Sequence, residues 1–125
     1  MAGELQTVIT AIPSASAAST TSAAISLKGV RKVTIFGTNT TNAHTYGVTV
    51  SSDGGTYSTF NRLVTNVTNT NAQNPVRSAT FAPSANSTDF ASMELGNDAF
   101  HSMKVVGTQV TAGSYLAKVV LEYYA

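Results

Sequence analysis

Along most of this chain apolar side chains recur at every second position. Ile25 and Leu27 alternate with polar residues, Val33 and Ile35 with Lys32 and Thr34, and Tyr46, Val48 and Val50 with Gly47, Thr49 and Ser51. His101, Met103 and Val105 keep the same step, and so do Ala117, Val119, Leu121 and Tyr123. A period of two places alternate side chains on opposite faces of a β-strand. Turn-forming residues punctuate these runs at 28–29, 52–55, 96–98 and 111–114. The pattern predicts an all-β fold, a single β-sandwich or jelly roll of about eight to nine short strands spaced roughly 8–12 residues apart. Ile25, Val33, Ile35, Val48, Val50, Val105, Val119 and Leu121 are the expected shared core.

Three stretches are less regular. Residues 57–67 place Tyr57, Phe60, Leu63, Val64 and Val67 at a spacing that also fits a helix face, but their Thr and Asn content argues for irregular strand. Residues 90–95 and 100–106 are expected to form a hairpin through Gly96, Asn97 and Asp98. In the last strand, 115–124, Leu116, Val120 and Tyr124 add apolar groups to the second face. It is therefore expected to be buried on both sides or covered by a partner.

The N-terminal part reads differently. Residues 4–10 suggest a short strand or extended segment that Pro13 stops, and residues 14–24 are a Ser/Ala/Thr tract of low complexity. Residues 1–24 are therefore expected to be an extended N-terminal arm, with residues 25–125 as the sandwich domain. Ordering a backbone costs roughly 1–2 kcal/mol per residue. Leu5, Val8, Ile9 and Ile12 are the sizeable anchors in the tract, so the arm is expected to pack on another chain by strand addition. Its removal would then leave a folded domain that no longer assembles.

Composition narrows the function. The 125 residues contain no cysteine, which rules out disulfides and thiolate metal sites. Charged residues are only 10% of the chain, with a net charge of +1. Such a surface favours close contact with neighbours, because few charges need desolvating. It gives no field for phosphate binding, and Lys28, Arg31 and Lys32 are a small cluster that a hairpin shoulder explains, so no nucleic-acid partner is expected. No apolar run approaches the length of a membrane-spanning helix, and the start of the chain does not resemble a signal peptide. No membrane partner is expected, and export is expected only by a route such as lysis.

Candidate chemistry is sparse. His44 and His101 are the histidines available to a Ser-His-Asp arrangement, no Gly-x-Ser-x-Gly elbow is present, and His101 falls in step with Met103 and Val105. No catalytic residue is assigned and the protein is expected not to be an enzyme. Asp53, Asp89 and Asp98 are candidate calcium ligands, but Asp53 and Asp98 sit in Gly-bearing turns where Asp serves local hydrogen bonding, so neither metal nor cofactor is expected. Asn39, Asn66 and Asn86 begin glycosylation sequons that so Asn- and Thr-rich a chain generates by chance. Tyr123 and Tyr124 point to opposite faces of the last strand. One can fill the core while the other meets a partner.

Segments 29–39 (GVRKVTIFGTN), 46–57 (YGVTVSSDGGTY) and 101–106 (HSMKVV) resemble discoidin-like, galactose-binding-type jelly rolls. In that family one strand ends in Gly-x-Asn, the next in Ser-x-Asp-Gly, and a late strand carries a basic residue between apolar ones, here Lys104. The resemblance implies a sandwich with ligand-accessible loops at one end. This chain has no Trp and no loop cluster of Arg, His and aromatic residues. As a whole it also resembles the small head decoration, or cement, proteins of tailed phages: cysteine-free, rich in Thr, Ala, Ser and Asn, and β-patterned. That likeness implies a virion structural protein, assembled in the host cytoplasm. It would be a homo-oligomer that clamps a major capsid protein or another virion protein through Leu5, Val8, Ile9, Ile12, Tyr123 and Tyr124. A carbohydrate-binding or adhesion module of a tail or surface protein is the alternative.

Overall fold

The structure is a computed structural model that describes residues 5–16, 18–40, 44–65, 77–93, 95, 100–109 and 113–124. In chain order the described strands are β1 (Gln6–Ala15), β2 (Ser19–Thr21), β3 (Ile25–Ser26), β4 (Val30–Asn39), β5 (His44–Ser51) and β6 (Ser58–Thr59), followed by β7 (Leu63–Thr65), β8 (Arg77–Ser78), β9 (Thr80–Phe81), β10 (Thr88–Met93), β11 (Ser102–Gln109) and β12 (Tyr115–Tyr123). They form two antiparallel sheets. The first runs β1-β12-β4-β10-β7-β8. The second runs β2-β11-β5-β6, with β3 also on β11 and β9 also on β5. The expected all-β sandwich is thus the observed one, built from more and shorter strands.

The chain alternates between sheets because each strand has one apolar phase to bury. Val33 and Ile35 of β4, Ala91 and Met93 of β10, and Ala117, Val119 and Leu121 of β12 face Val48 and Val50 of β5 and Met103 and Val105 of β11. All eight expected core residues lie in this cluster, none more than 8% exposed. At one end the sheets interlock through two tyrosines. Tyr46 of β5 lies on Gly37 of β4, where a Cβ would sit 2.5 Å from its ring. Tyr115 of β12 lies in the same way on Gly107 of β11, again at 2.5 Å. The rings meet edge to face at 6.2 Å. The Tyr46 hydroxyl donates towards Asn39 Oδ1 (2.6 Å) and the Thr38 carbonyl (2.9 Å), while Asn39 Nδ2 donates to the Pro83 carbonyl (2.7 Å). β4 therefore runs on through Gly37 to Asn39, and the glycine is a docking notch rather than a strand end.

The N-terminal segment is not an arm lying apart from the sandwich. β1 is the edge strand of the first sheet, paired with β12 from Gln6↔Glu122 to Ala15↔Tyr115. β2 then pairs with β11, and Ser22 bonds Val105 in both directions, its N–H to the Val105 carbonyl (2.8 Å) and the Val105 N–H to its Oγ (2.9 Å). Thr20 Oγ1 reaches the Tyr115 hydroxyl at 2.7 Å. The small polar residues are held by backbone ladders, which composition does not reveal. Pro13 does not stop β1, because an edge strand has a side on which no N–H is needed. Two register irregularities, after Thr10 and after Ile12, absorb the distortion.

One other expectation changes. Residues 90–95 and 100–106 are not a hairpin: β10 pairs with β4 and β7, whereas β11 pairs with β5, so the chain crosses between sheets. The 96–98 turn lies outside the described residues, as does the 111–112 part of the later one. Residues 58–65 are irregular strand, as expected. They change sheets between β6 and β7, with Phe60 buried at the crossing.

Leu121→Ala is expected to lower stability by roughly 2–5 kcal/mol and Val119→Ala by somewhat less, because both sit at 0–1% exposure on β12. Denaturant titration checks this. Deleting residues 1–24 is now expected to abolish cooperative unfolding, since it removes Ile12, bares β12 and cuts the Thr20–Tyr115 link. A two-state melt of the truncated chain near the full-length midpoint would contradict that.

Candidate interaction surface

Six residues are expected from sequence to meet a partner, and the structure divides them. Ile12 is wholly buried in the protein's own core. Opposite Ala117, it occupies space that the small side chain leaves, so it is not available to a partner. Ile9 and Tyr123 are half-buried and pack against the same core. Leu5, Val8 and Tyr124 are exposed, at 48%, 62% and 67%. Leu5 and Tyr124 are tied down through their backbones, Leu5 O accepting from Tyr123 N (2.8 Å) and Tyr124 N donating to Gly29 O (3.0 Å).

Val8 belongs to a larger surface. Strand register fixes which side chains share the outer face of the first sheet. One row runs Val8, Val120, Thr34, Ser92, Val64 and Arg77, and the next runs Thr10, Lys118, Phe36 and Phe90. Leu116 lies beside Thr38 in the row after that. Phe90 is 40% exposed, and its ring is tilted by 40° against that of Phe36 with 5.6 Å between centroids. Val120, Leu116, Phe36 and Val64 are half-buried. Lys118 is the charge in the middle of this face. Glu122 at its border pairs with Arg31 at 2.9 Å, an exposed contact worth at most about 1 kcal/mol. β12 therefore buries one face and half-exposes the other. Sequence reasoning missed Phe36 and Phe90, although the signal was present: Phe36 falls in the polar phase of β4, with Lys32 and Thr34.

Among the described residues, β1 also has an open edge. In an antiparallel ladder alternate residues turn both backbone groups towards the neighbour. Leu5 is bonded to Tyr123 N, two steps in register from Thr7↔Leu121 and four from Ile9↔Val119. Residues 5, 7 and 9 thus face β12, while Gln6, Val8 and Thr10 turn their N–H and C=O groups outward. Beside this edge lies a groove of about 310 Å³ between β1 and residues 22–26, lined by Ile9, Ala11, Ala23, Ile25, Leu121 and Tyr123 among others.

The remaining candidates serve the fold. Asp53 Oδ1 accepts from Gly55 N (2.8 Å), Thr56 N (3.1 Å) and Ser51 Oγ (3.0 Å). These bonds, led by the one from Gly55, hold its carboxyl down at about 2. Asp89 is on β10 of the first sheet, away from this turn of the second, and Asp98 lies outside the described residues. His101 sits over Gly54, with Nδ1 3.0 Å from Ser102 Oγ; that hydroxyl also meets Tyr57 OH at 2.6 Å and is buried. Lys104 covers the Tyr57 ring at 4.3 Å. His44 is fully buried against Tyr115, 5.0 Å between rings, and among the described residues neither of its nitrogens has a hydrogen-bond partner. Of the sequon residues, Asn39 is buried by the bonds above, Asn86 is exposed in a left-handed turn, and Asn66 lies outside the described residues.

The fold is similar to that of the SPBc2 prophage-derived protein YomS, with a TM-score of 0.70 over 94% of this chain and 92% of that one, at 10% identity. PirA (TM-score 0.39, 10% identity, 98% and 97% coverage) and the Tobacco streak virus coat protein (0.40, 11%, 100% and 91%) score too low for a shared fold to be read from them. No family model and no curated protein sequence matches the chain. The discoidin-like resemblance therefore stands on its three segments alone.

The Asp53 turn carries a pH signature. Its carboxyl is held near 2, below the usual value of 3.8, so the turn's contribution is complete above pH 4 and is lost as pH falls through about 2. Asp53→Ala is therefore expected to lower the melting temperature at pH 7, and the gap to the parent should close as pH drops from 4 to 2. A gap independent of pH would show that the carboxylate is not what holds the turn.

Proposed function

We propose that this protein is a virion structural protein, a capsid decoration or cement protein that works by non-covalent contact and not as an enzyme. The observation that carries the reading is the outer face of the first sheet. Val8, Val64, Phe36, Phe90, Leu116 and Val120 occupy the polar phase of their strands around Lys118, with Lys32, Glu122 and Arg77 at the borders. A contiguous apolar face on a rigid sheet marks a protein contact, and the scarcity of charge lowers the desolvation cost of covering it. A fold shared with a prophage-derived protein supports the same setting. The partner is a major capsid protein or another virion protein, and the protein acts in the virion as a homo-oligomer.

The glycan-binding alternative draws less support. Sugar sites use an open aromatic face, whereas Tyr46 and Tyr115 are buried and Lys104 caps Tyr57.

The test is immunogold electron microscopy with antibody to the purified chain, on phage particles from the host whose genome encodes it. Label spread over the heads is the expected result. Label on tails alone would keep a virion role and remove capsid decoration; particles without label would overturn the reading.

A further inference from the structure

We propose that the open edge of β1 is a self-pairing site, at which a second copy of this chain adds its own β1 antiparallel, about a two-fold axis at Val8. The inference rests on the functional reading only for its biological setting; the geometry stands by itself.

Among the described residues, Gln6, Val8 and Thr10 turn outward backbone groups that no strand pairs with. The stretch 6–10 (QTVIT) is uncharged, free of Gly and Pro, and rich in β-branched residues. Such an edge is a template for another strand, and proteins usually blunt it with charge, proline or a bulge. Here the irregularity after Thr10 and Pro13 come later, leaving 6–10 regular.

The occupant is a second copy because the edge is complementary to itself. With the axis at Val8, each Val8 exchanges both backbone bonds with its twin. Gln6 does the same with Thr10 of the second copy, so every outward group of the regular stretch is satisfied. Side chains match as well. Val8 meets Val8, extending the Val8–Val120 contact into a four-valine stripe on the outer face. The row that carries Glu122 through Gln6 continues into the row that carries Lys118 through Thr10. No like charges are set side by side in that row. On the inner side, Thr7 and Ile9 of the added strand come to the mouth of the groove beside Ile9 and Tyr123.

A contact of about five residues per chain lies below the roughly 1,000 Å² of a stable interface, so association is weak and depends on concentration. Sedimentation velocity on the purified chain, from micromolar to millimolar, should show a monomer–dimer equilibrium. Amide exchange by NMR should show protection at Gln6, Val8 and Thr10 that rises with concentration, while Thr7 and Ile9 are protected throughout. Val8→Lys, at an exposed site, places two like charges on the axis and should weaken association at least tenfold with an unchanged melt; Val8→Thr should retain it. A monomer at all concentrations, a dimer indifferent to Val8→Lys, or unchanged exchange at 6, 8 and 10 would overturn the proposal. The immunogold result is independent: a dimer that never labels particles defeats the virion reading alone, and a monomer that labels them defeats the pairing alone.

Discussion

The structure depends on a reciprocal exchange between its sheets: each sends one tyrosine into a glycine notch of the other. Sandwich sheets pack about 10 Å apart, and a tyrosine from one backbone can lie against the other only where no Cβ stands in the way. Gly37 receives Tyr46 and Gly107 receives Tyr115. Because Gly107 is also the register partner of Tyr46 on β5, the two notches sit in one layer and the rings close on each other. Burial pushes the Tyr46 hydroxyl up to about 12, so it remains a neutral donor to Asn39 and Thr38 at any ordinary pH. Through Thr20 the Tyr115 hydroxyl draws the N-terminal segment into the same layer. This one contact fixes the spacing of the sheets, their register and the place of the chain's start.

A core completed from within leaves the outer surfaces free of structural duty. The outer face of the first sheet carries Phe36, Phe90, Val8, Val64 and Val120 beside Lys118, with Lys32, Glu122 and Arg77 at its borders. Apolar residues there add little to folding, since Val8 and Phe90 remain well exposed. The second sheet differs: its outward positions include Thr45, Thr49 and Thr108, with Lys104 folded onto Tyr57.

Strand periodicity made the core legible, and Val33, Ile35, Val105 and Val119 could be named from alternation alone. Alternation says which residues share a face, not which strand lies beside which. The crossing between β10 and β11 was therefore misread as a hairpin, and β1 and β2 as an arm. Pro13 misled for a related reason: it forbids a paired N–H, but only an assigned neighbour reveals that none is required. The tyrosine notches were hidden because Gly37 and Gly107 are distant in sequence from the rings that need them. Of the partner-facing set, Val8 was placed on a usable surface and Ile12 was not, because a lone Ile in a polar tract looks the same whether its partner is another chain or Ala117 of its own.

The two proposed contacts, edge and face, would act in different directions, which makes them compatible. Strand addition acts within the plane of the sheet; contact through Phe36, Phe90 and Val120 acts perpendicular to it. A two-fold axis that relates antiparallel strands of one continuous sheet runs perpendicular to that sheet, so both copies turn the same outer face the same way. Self-pairing at Val8 then doubles the apolar face instead of hiding it. A surface that binds one face weakly holds the pair more strongly, because the second contact forms at the high effective concentration set by the first. The same coupling runs in reverse: copies already seated side by side on a lattice meet edge to edge without first losing their freedom in solution. A short edge that pairs weakly in isolation would thus pair more strongly once a surface had gathered the copies.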